Sequence, residues 1–195
     1  MPETRPPIEA HVASLAELAA AIDARGGPPP VDRWHPTHCG DSEMRIARDG
    51  TWYHQGTPIA RPAMVRLFST VLRRESDGSH VLVTPVEKLS IEVDRTAFRA
   101  TQMTMSGTSE TRRIGLTLDS GDALIIGADH PLTMLDTPDG PSPRVAVRFG
   151  LEAELARPLY YELAEIALAA SGIRWTTART PSTSFSPLRS ACPLP

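Results

Sequence analysis

The sequence has no asparagine, one lysine (Lys88) and two cysteines, Cys39 and Cys192. Aromatic residues make up only 5% of it. Each scarcity excludes something. Two cysteines in unrelated contexts do not make the disulfide framework of a small secreted domain. With so few aromatics the core must be mainly aliphatic, and little is left over for a base-stacking platform. Nineteen of the 20 basic residues are arginine. That bias matches a GC-rich genome, so most arginines need no special role, whereas the lone lysine marks a position where arginine would not serve. A formal charge of −3 excludes a generic basic nucleic-acid binder. No run approaches the ~20 apolar residues needed to span a bilayer. The opening residues lack the basic-then-apolar pattern of a secretory signal. The expectation is a bacterial cytoplasmic protein without a membrane or nucleic-acid partner.

The 195 residues suffice for one domain or two small ones. Proline-rich ends flank the patterned region. Val12, Leu15, Leu18, Ala19 and Ile22 have helical spacing, and Gly26-Gly27-Pro28-Pro29-Pro30 ends that helix. Met44–Ala47 and Thr51–His54 read as a hairpin around Arg48-Asp49-Gly50. Met64, Leu67, Phe68, Val71 and Leu72 form one apolar stripe of a helix opened by Pro62. Strands are expected near 80–84, 87–94, 97–105, 112–118, 122–127, 132–136 and 143–149, followed by a helix carrying Leu159, Leu163 and Ile166. Turn signals include Asp119-Ser120-Gly121 and Pro138-Asp139-Gly140. From Thr176 the chain is rich in serine, threonine and proline and reads as a tail. Residues 60–72 and 156–168 share Ala-Arg-Pro and two later leucines, five identities in thirteen positions. The recurrence reads as a duplication; the alternative is chance reuse of a first-turn proline and of leucines on an apolar face.

The stretch Met44–Pro62, with Leu67-Phe68-Ser69, resembles the signature of a bacterial family called domain of unknown function 1285. Cys39-Gly40-Asp41, Val83–Lys88, Asp129-His130-Pro131-Leu132 and Arg157–Leu163 extend the resemblance over about residues 31–170. It implies a duplicated core whose second half is pleckstrin-homology-like, a ligand cleft between the halves for a nucleotide-based molecule, and a role in signalling. It carries no catalytic residues with it. His35 and His38 are not part of the pattern.

Several residue types could carry chemistry. Glu87 and Lys88 follow a proline between strands; adjacent strand residues face opposite ways, so they do not pair with each other. Lys88 would hold a phosphate or carboxylate as a point charge, or else guard a strand edge. Arg61 and Arg157 each precede a proline at a helix start that lacks a capping side chain. An anion would satisfy the first-turn N–H groups there, unless carbonyls or water do. His54 and His130 would act as a base or hydrogen-bond a ligand, or serve local turns. Asp122 and Asp129 would accept from a ribose or base, or serve turns. His35, His38 and Cys39 offer three zinc-type ligands with no visible fourth, so no metal is expected. Trp34, Trp52, Phe68 and Tyr160 read as packing. Nucleotide-loop, dinucleotide-fold, serine-elbow and zinc-protease motifs are all absent.

The resulting expectation is an α+β protein of two related units. Residues 1–30 are a tail, helix and linker; 31–77 are a small α+β unit; 78–172 are a pleckstrin-homology-like unit, a seven-stranded β-barrel or sandwich capped by a helix; 173–195 are a tail. The leading function is a non-catalytic sensor without a cofactor. It binds a nucleotide-like anionic small molecule where the units meet, through Arg61, Lys88, Glu87, His54, Asp122, His130 and Arg157, and has a protein partner in signalling. The alternatives are a phosphoester hydrolase and a protein–protein scaffold without a small ligand.

Overall fold

The structure is a computed structural model and describes residues 29–108 and 111–169. The expected helix near residues 12–25 and the tail over 173–195 lie outside the described residues. In the first unit the order is β1 (His38–Ile46), β2 (Trp52–His54), β3 (Thr57–Pro58), α1 (Pro62–Thr70), β4 (Leu72–Arg74), β5 (His80–Val83) and β6 (Glu87–Val93). In the second it is β7 (Phe98–Ser106), β8 (Arg113–Leu118), β9 (Ala123–Ile125), β10 (Leu132–Thr137), β11 (Gly140–Ala146), β12 (Glu152–Leu155) and α2 (Arg157–Ala169). No helix among the described residues is long and apolar enough to cross a membrane.

The two units are built alike. The strand orders are β3-β2-β1-β6-β5-β4 and β9-β8-β7-β12-β11-β10. Each sheet is therefore two three-stranded meanders, joined where its first and last strands run parallel, β1 with β6 and β7 with β12. A parallel pair needs a long crossover, and in each unit the four intervening strands supply it. The duplication thus lies in the strands. It does not lie in the helices that suggested it: α1 falls between the third and fourth strands of its unit, whereas α2 follows the sixth strand of the other. Their shared Ala-Arg-Pro reflects what any helix start accepts.

The second sheet has six strands, not seven, and does not close into a barrel: β9 and β10 are its open edges. Two strands expected in the second unit, His80–Val83 and Glu87–Val93, pair into the first sheet, and Glu152–Leu155 is a short strand that no alternation announced. One hydrophobic core joins the two units in a sandwich-like arrangement. It includes Ile46, Leu72 and Phe68 from the first unit and Phe98, Leu116, Leu118 and Val145 from the second. Trp52 and Phe68 stack within it, ring centroids 6.3 Å apart. Arg73 ties the segment before β1 to this body by donating to the Val31 and Trp34 carbonyls at 2.5 and 3.0 Å.

Helix α1 is shorter than its apolar stripe suggested. Ser69 and Thr70 turn their hydroxyls back onto the Arg66 and Leu67 carbonyls, and Val71 N–H reaches only Phe68 O. Those back-bonds and two successive β-branched residues end the helix. Leu72 is then free to start β4, where it is fully buried. The buried face of α1 is centred on Phe68 and Ser69, while Met64 is 38% exposed. Leu72→Ala should therefore cost about 2–5 kcal/mol in urea denaturation, and Met64→Ala about 1 kcal/mol or less. Equal losses would contradict the placement of the two side chains.

His80, half-buried at the start of β5, has its pKa lowered from 6.5 to about 4 by burial and, secondarily, by the Arg74 charge. Between those values the unfolded chain takes up a proton that the folded chain refuses. The stabilisation is complete above about pH 6.5 and is lost as the pH falls toward 4, a loss on the order of 2–3 kcal/mol. In His80→Gln the midpoint of denaturation should vary less with pH over that range than in the parent. An unchanged slope would exclude His80 as the source.

Candidate functional site

Two hairpin tips, one from each sheet, meet at the junction of the units. The first is Arg48-Asp49-Gly50 between β1 and β2. Asp49 accepts the Thr51 N–H at 2.9 Å, which holds its carboxyl below the usual range. Gly50 has φ +87, and a Cβ on it would sit 2.7 Å from Asp119 Oδ2 of the second unit. Glycine is thus needed both for the turn and for the close approach. Arg99 of β7 donates from Nη1 to the Asp49 carbonyl at 2.7 Å. The second tip is Pro138-Asp139 between β10 and β11, closed by Thr137 Oγ1 donating to Gly140 O at 2.6 Å. Arg48 Nη1 lies 3.2 Å from Asp139 Oδ2, and Arg95 Nη1 lies 3.5 Å from the same oxygen. Arg95 Nε also pairs with Glu154 Oε2 at 2.8 Å, and Glu154 Oε1 accepts from Ser142 Oγ at 2.8 Å.

These groups border a cleft of about 590 Å³. Its charged lining comprises Arg48, Arg95, Arg99 and Arg157 against Asp139 and Glu154. The formal balance is four positive charges to two negative. Arg157 opens α2 and Arg61 is the N-cap of α1, where a cation opposes the helix dipole. Tyr160 and Tyr161 line the wall beside Arg157, with ring centroids 5.6 Å apart and tilted by 44°, and Tyr161 is 61% exposed. Pro141 and Pro143 also line the cleft. They are tolerated inside β11 because β12 pairs only with Arg144–Ala146, leaving the first half of the strand uncovered on that side.

Of the candidate ligand residues named from sequence, Arg157 alone lines this cleft, and Tyr160, which read as packing, lines it too. Ala60 and Pro62, flanking Arg61, border a second cleft of about 460 Å³ with Arg66 and the Asp119-Ser120-Gly121 turn. The two helix starts thus open onto different clefts. At the α1 start the Met64 N–H is taken by Arg61 O, whereas Val65 N–H to Arg61 O and Tyr160 N–H to Ala156 O are the first regular bonds of the two helices. Glu87 and Lys88 begin β6, opposite His38 and Cys39 of β1, with Glu87 N–H donating to Thr84 Oγ1 at 3.1 Å. His54 is exposed at the end of β2. His130 Nδ1 is 2.9 Å from Ala146 O, a local tie before β10. Cys39 is not a free thiol, and among the described residues no three His, Cys, Asp or Glu side chains converge. Sequence reading missed Arg48, Arg95, Arg99, Tyr161 and the two carboxylates. The Arg-Asp-Gly and Pro-Asp-Gly turns were the available signal.

Asp122 serves a structural pairing. Its Oδ2 receives Arg148 Nη1 at 2.8 Å and Ser120 Oγ at 3.0 Å. Arg148 also donates from Nη2 to Ser69 O at the end of α1 and lies 5.0 Å over the Phe98 ring. One guanidinium thereby links the first unit to the second. Arg148→Ala should lower stability by about 2–3 kcal/mol, because three contacts go together. Asp122→Asn should cost about 1 kcal/mol or less, since that carboxylate is half-exposed. Denaturation of the two variants checks this ordering; the reverse order would contradict it.

Residues 29–96 match the N-terminal domain, and 97–186 the C-terminal domain, of the domain of unknown function DUF1285. The boundary between the matches falls between β6 and β7, where one sheet gives way to the other. A crystal structure of a DUF1285 family protein from Silicibacter pomeroyi DSS-3 is 47% identical, with a TM-score of 0.68 over 71% of this chain and 76% of that one. One from Shewanella baltica OS155, at 22% identity and a TM-score of 0.51, covers 63% of this chain and 91% of that one, and shares the fold. No curated protein matches the chain. Two family domains in order, each coinciding with one six-stranded sheet, show that the chain belongs to the DUF1285 family.

Proposed function

We propose that this protein is a binding module for a nucleotide-like anion, held in the cleft between its two units. The observation that carries the reading is the unbalanced charge of the cleft lining, Arg48, Arg95, Arg99 and Arg157 against Asp139 and Glu154. Guanidinium groups are weakly hydrated forks that match phosphate oxygens two at a time. The cleft volume of about 590 Å³ falls within the range for small-molecule sites. The exposed Tyr161 ring beside Arg157 offers an apolar face to a base or sugar. A ligand touching both hairpin tips would stabilise the arrangement of the units, and that linkage is the physical basis for a sensing role in signalling.

Thermal denaturation with ADP, inorganic pyrophosphate and adenosine tests this reading. ADP at 100 times its dissociation constant should stabilise the protein by about 2.7 kcal/mol. Adenosine should do far less. Arg157→Ala and Arg48→Ala should each weaken ADP about tenfold, or roughly 1.4 kcal/mol. No stabilisation by any nucleotide or phosphate, or full stabilisation in both variants, would overturn it.

A further inference from the structure

Within the cleft just assigned, and resting on that reading, one position is already filled by an anion of the protein's own. Asp139 Oδ2 is shared between Arg48 of the first unit, at 3.2 Å, and Arg95 Nη1, at 3.5 Å. The other carboxylate, Glu154, is different in kind. It is mostly buried, close to Arg95 Nε and fixed by Ser142 Oγ. Asp139 sits half-exposed on a two-residue turn, and its ion pairs are long and solvated. Such pairs contribute little and are readily exchanged.

We propose that the Arg48–Arg95 pair is the subsite for a terminal phosphoryl group, and that Asp139 occupies it as a resident counter-anion that the ligand must expel. A phosphate monoester carries about −1.5 to −2 charges near neutral pH and offers three acceptor oxygens, so it can satisfy both guanidinium groups at once. A single carboxylate oxygen at 3.2 and 3.5 Å does so poorly. Exchange therefore favours a phosphoryl dianion over carboxylates and other monoanions. It also releases the β10–β11 tip from Arg48, so phosphoryl binding exchanges a contact between the units for one through the ligand. Arg157 and the tyrosines, which also line the cleft, are left to take the remainder of the molecule.

The test is calorimetric titration of the full chain with inorganic pyrophosphate, ADP and adenosine. The parent is compared with Asp139→Asn and with Asp136→Asn, which removes the same charge from β10 outside the cleft lining. Asp139→Asn should tighten pyrophosphate and ADP by about tenfold, the scale of one charge-assisted hydrogen bond no longer in competition. Adenosine should be unaffected, and Asp136→Asn should stay within about twofold of the parent, as expected for a screened surface charge. If the parent binds ADP but Asp139→Asn binds it no tighter, the resident-anion inference fails and the binding reading stands. Equal tightening by Asp136→Asn would also overturn the inference, because bulk charge would then explain the gain. If neither parent nor variant binds any phosphate, the inference and the binding reading fail together.

Discussion

Four guanidinium groups of like charge must be held around one cleft, and much of the local architecture answers that demand. Arg95 is fixed by Glu154, and Glu154 in turn by Ser142. Arg99 is pinned to the Asp49 carbonyl and lies beside the Asp49 and Asp119 carboxyl groups. Arg48 reaches the cleft only because Gly50 lets its turn approach the second unit closely. Arg157 is set at a helix start, against the dipole. On the proposed reading, these charges serve to neutralise an incoming anion.

The junction of the units has two different kinds of contact. Away from the cleft it is a continuous hydrophobic core, with Phe68 and Leu72 of one unit in the same cluster as Phe98 and Leu118 of the other. Arg148 adds a polar link from Phe98 and Asp122 to the end of α1. At the cleft the contacts are exposed and ionic. The core sets the relative position of the sheets, while the ionic contacts at the rim are weak enough to be exchanged. Duplication of a six-stranded plan supplies both sheets, and the hairpin tips that meet come from unlike places in it: β1–β2 in one unit, β10–β11 in the other.

The α+β class, the two related units, both described helices and the principal hairpins were legible in the sequence, because periodicity and turn residues report local structure directly. Longer-range features were not. Nothing in Glu87–Val93 announces that it will pair in parallel with His38–Ile46 rather than join the strands that follow. Glu152–Leu155 is too short to show alternation. Of the cleft that we propose as the anion site, Arg157 alone was among the candidate ligand residues named from sequence. Arginine is so common here that Arg48, Arg95 and Arg99 did not stand out, and Asp139 read as turn chemistry, which it also performs. Asp122 and His130 proved to be engaged by Arg148 and Ala146.

The central claim is that an anion seats among Arg48, Arg95 and Arg157, between the sheets. Backbone-amide NMR of the full chain titrated with ADP tests it most directly. The account predicts saturable shifts concentrated at Arg48–Gly50, Arg95, Asp139–Gly140 and Arg157–Tyr161, from both units at a single dissociation constant. Shifts confined to one unit, shifts centred on Lys88 and His54 instead, or none at all would contradict it.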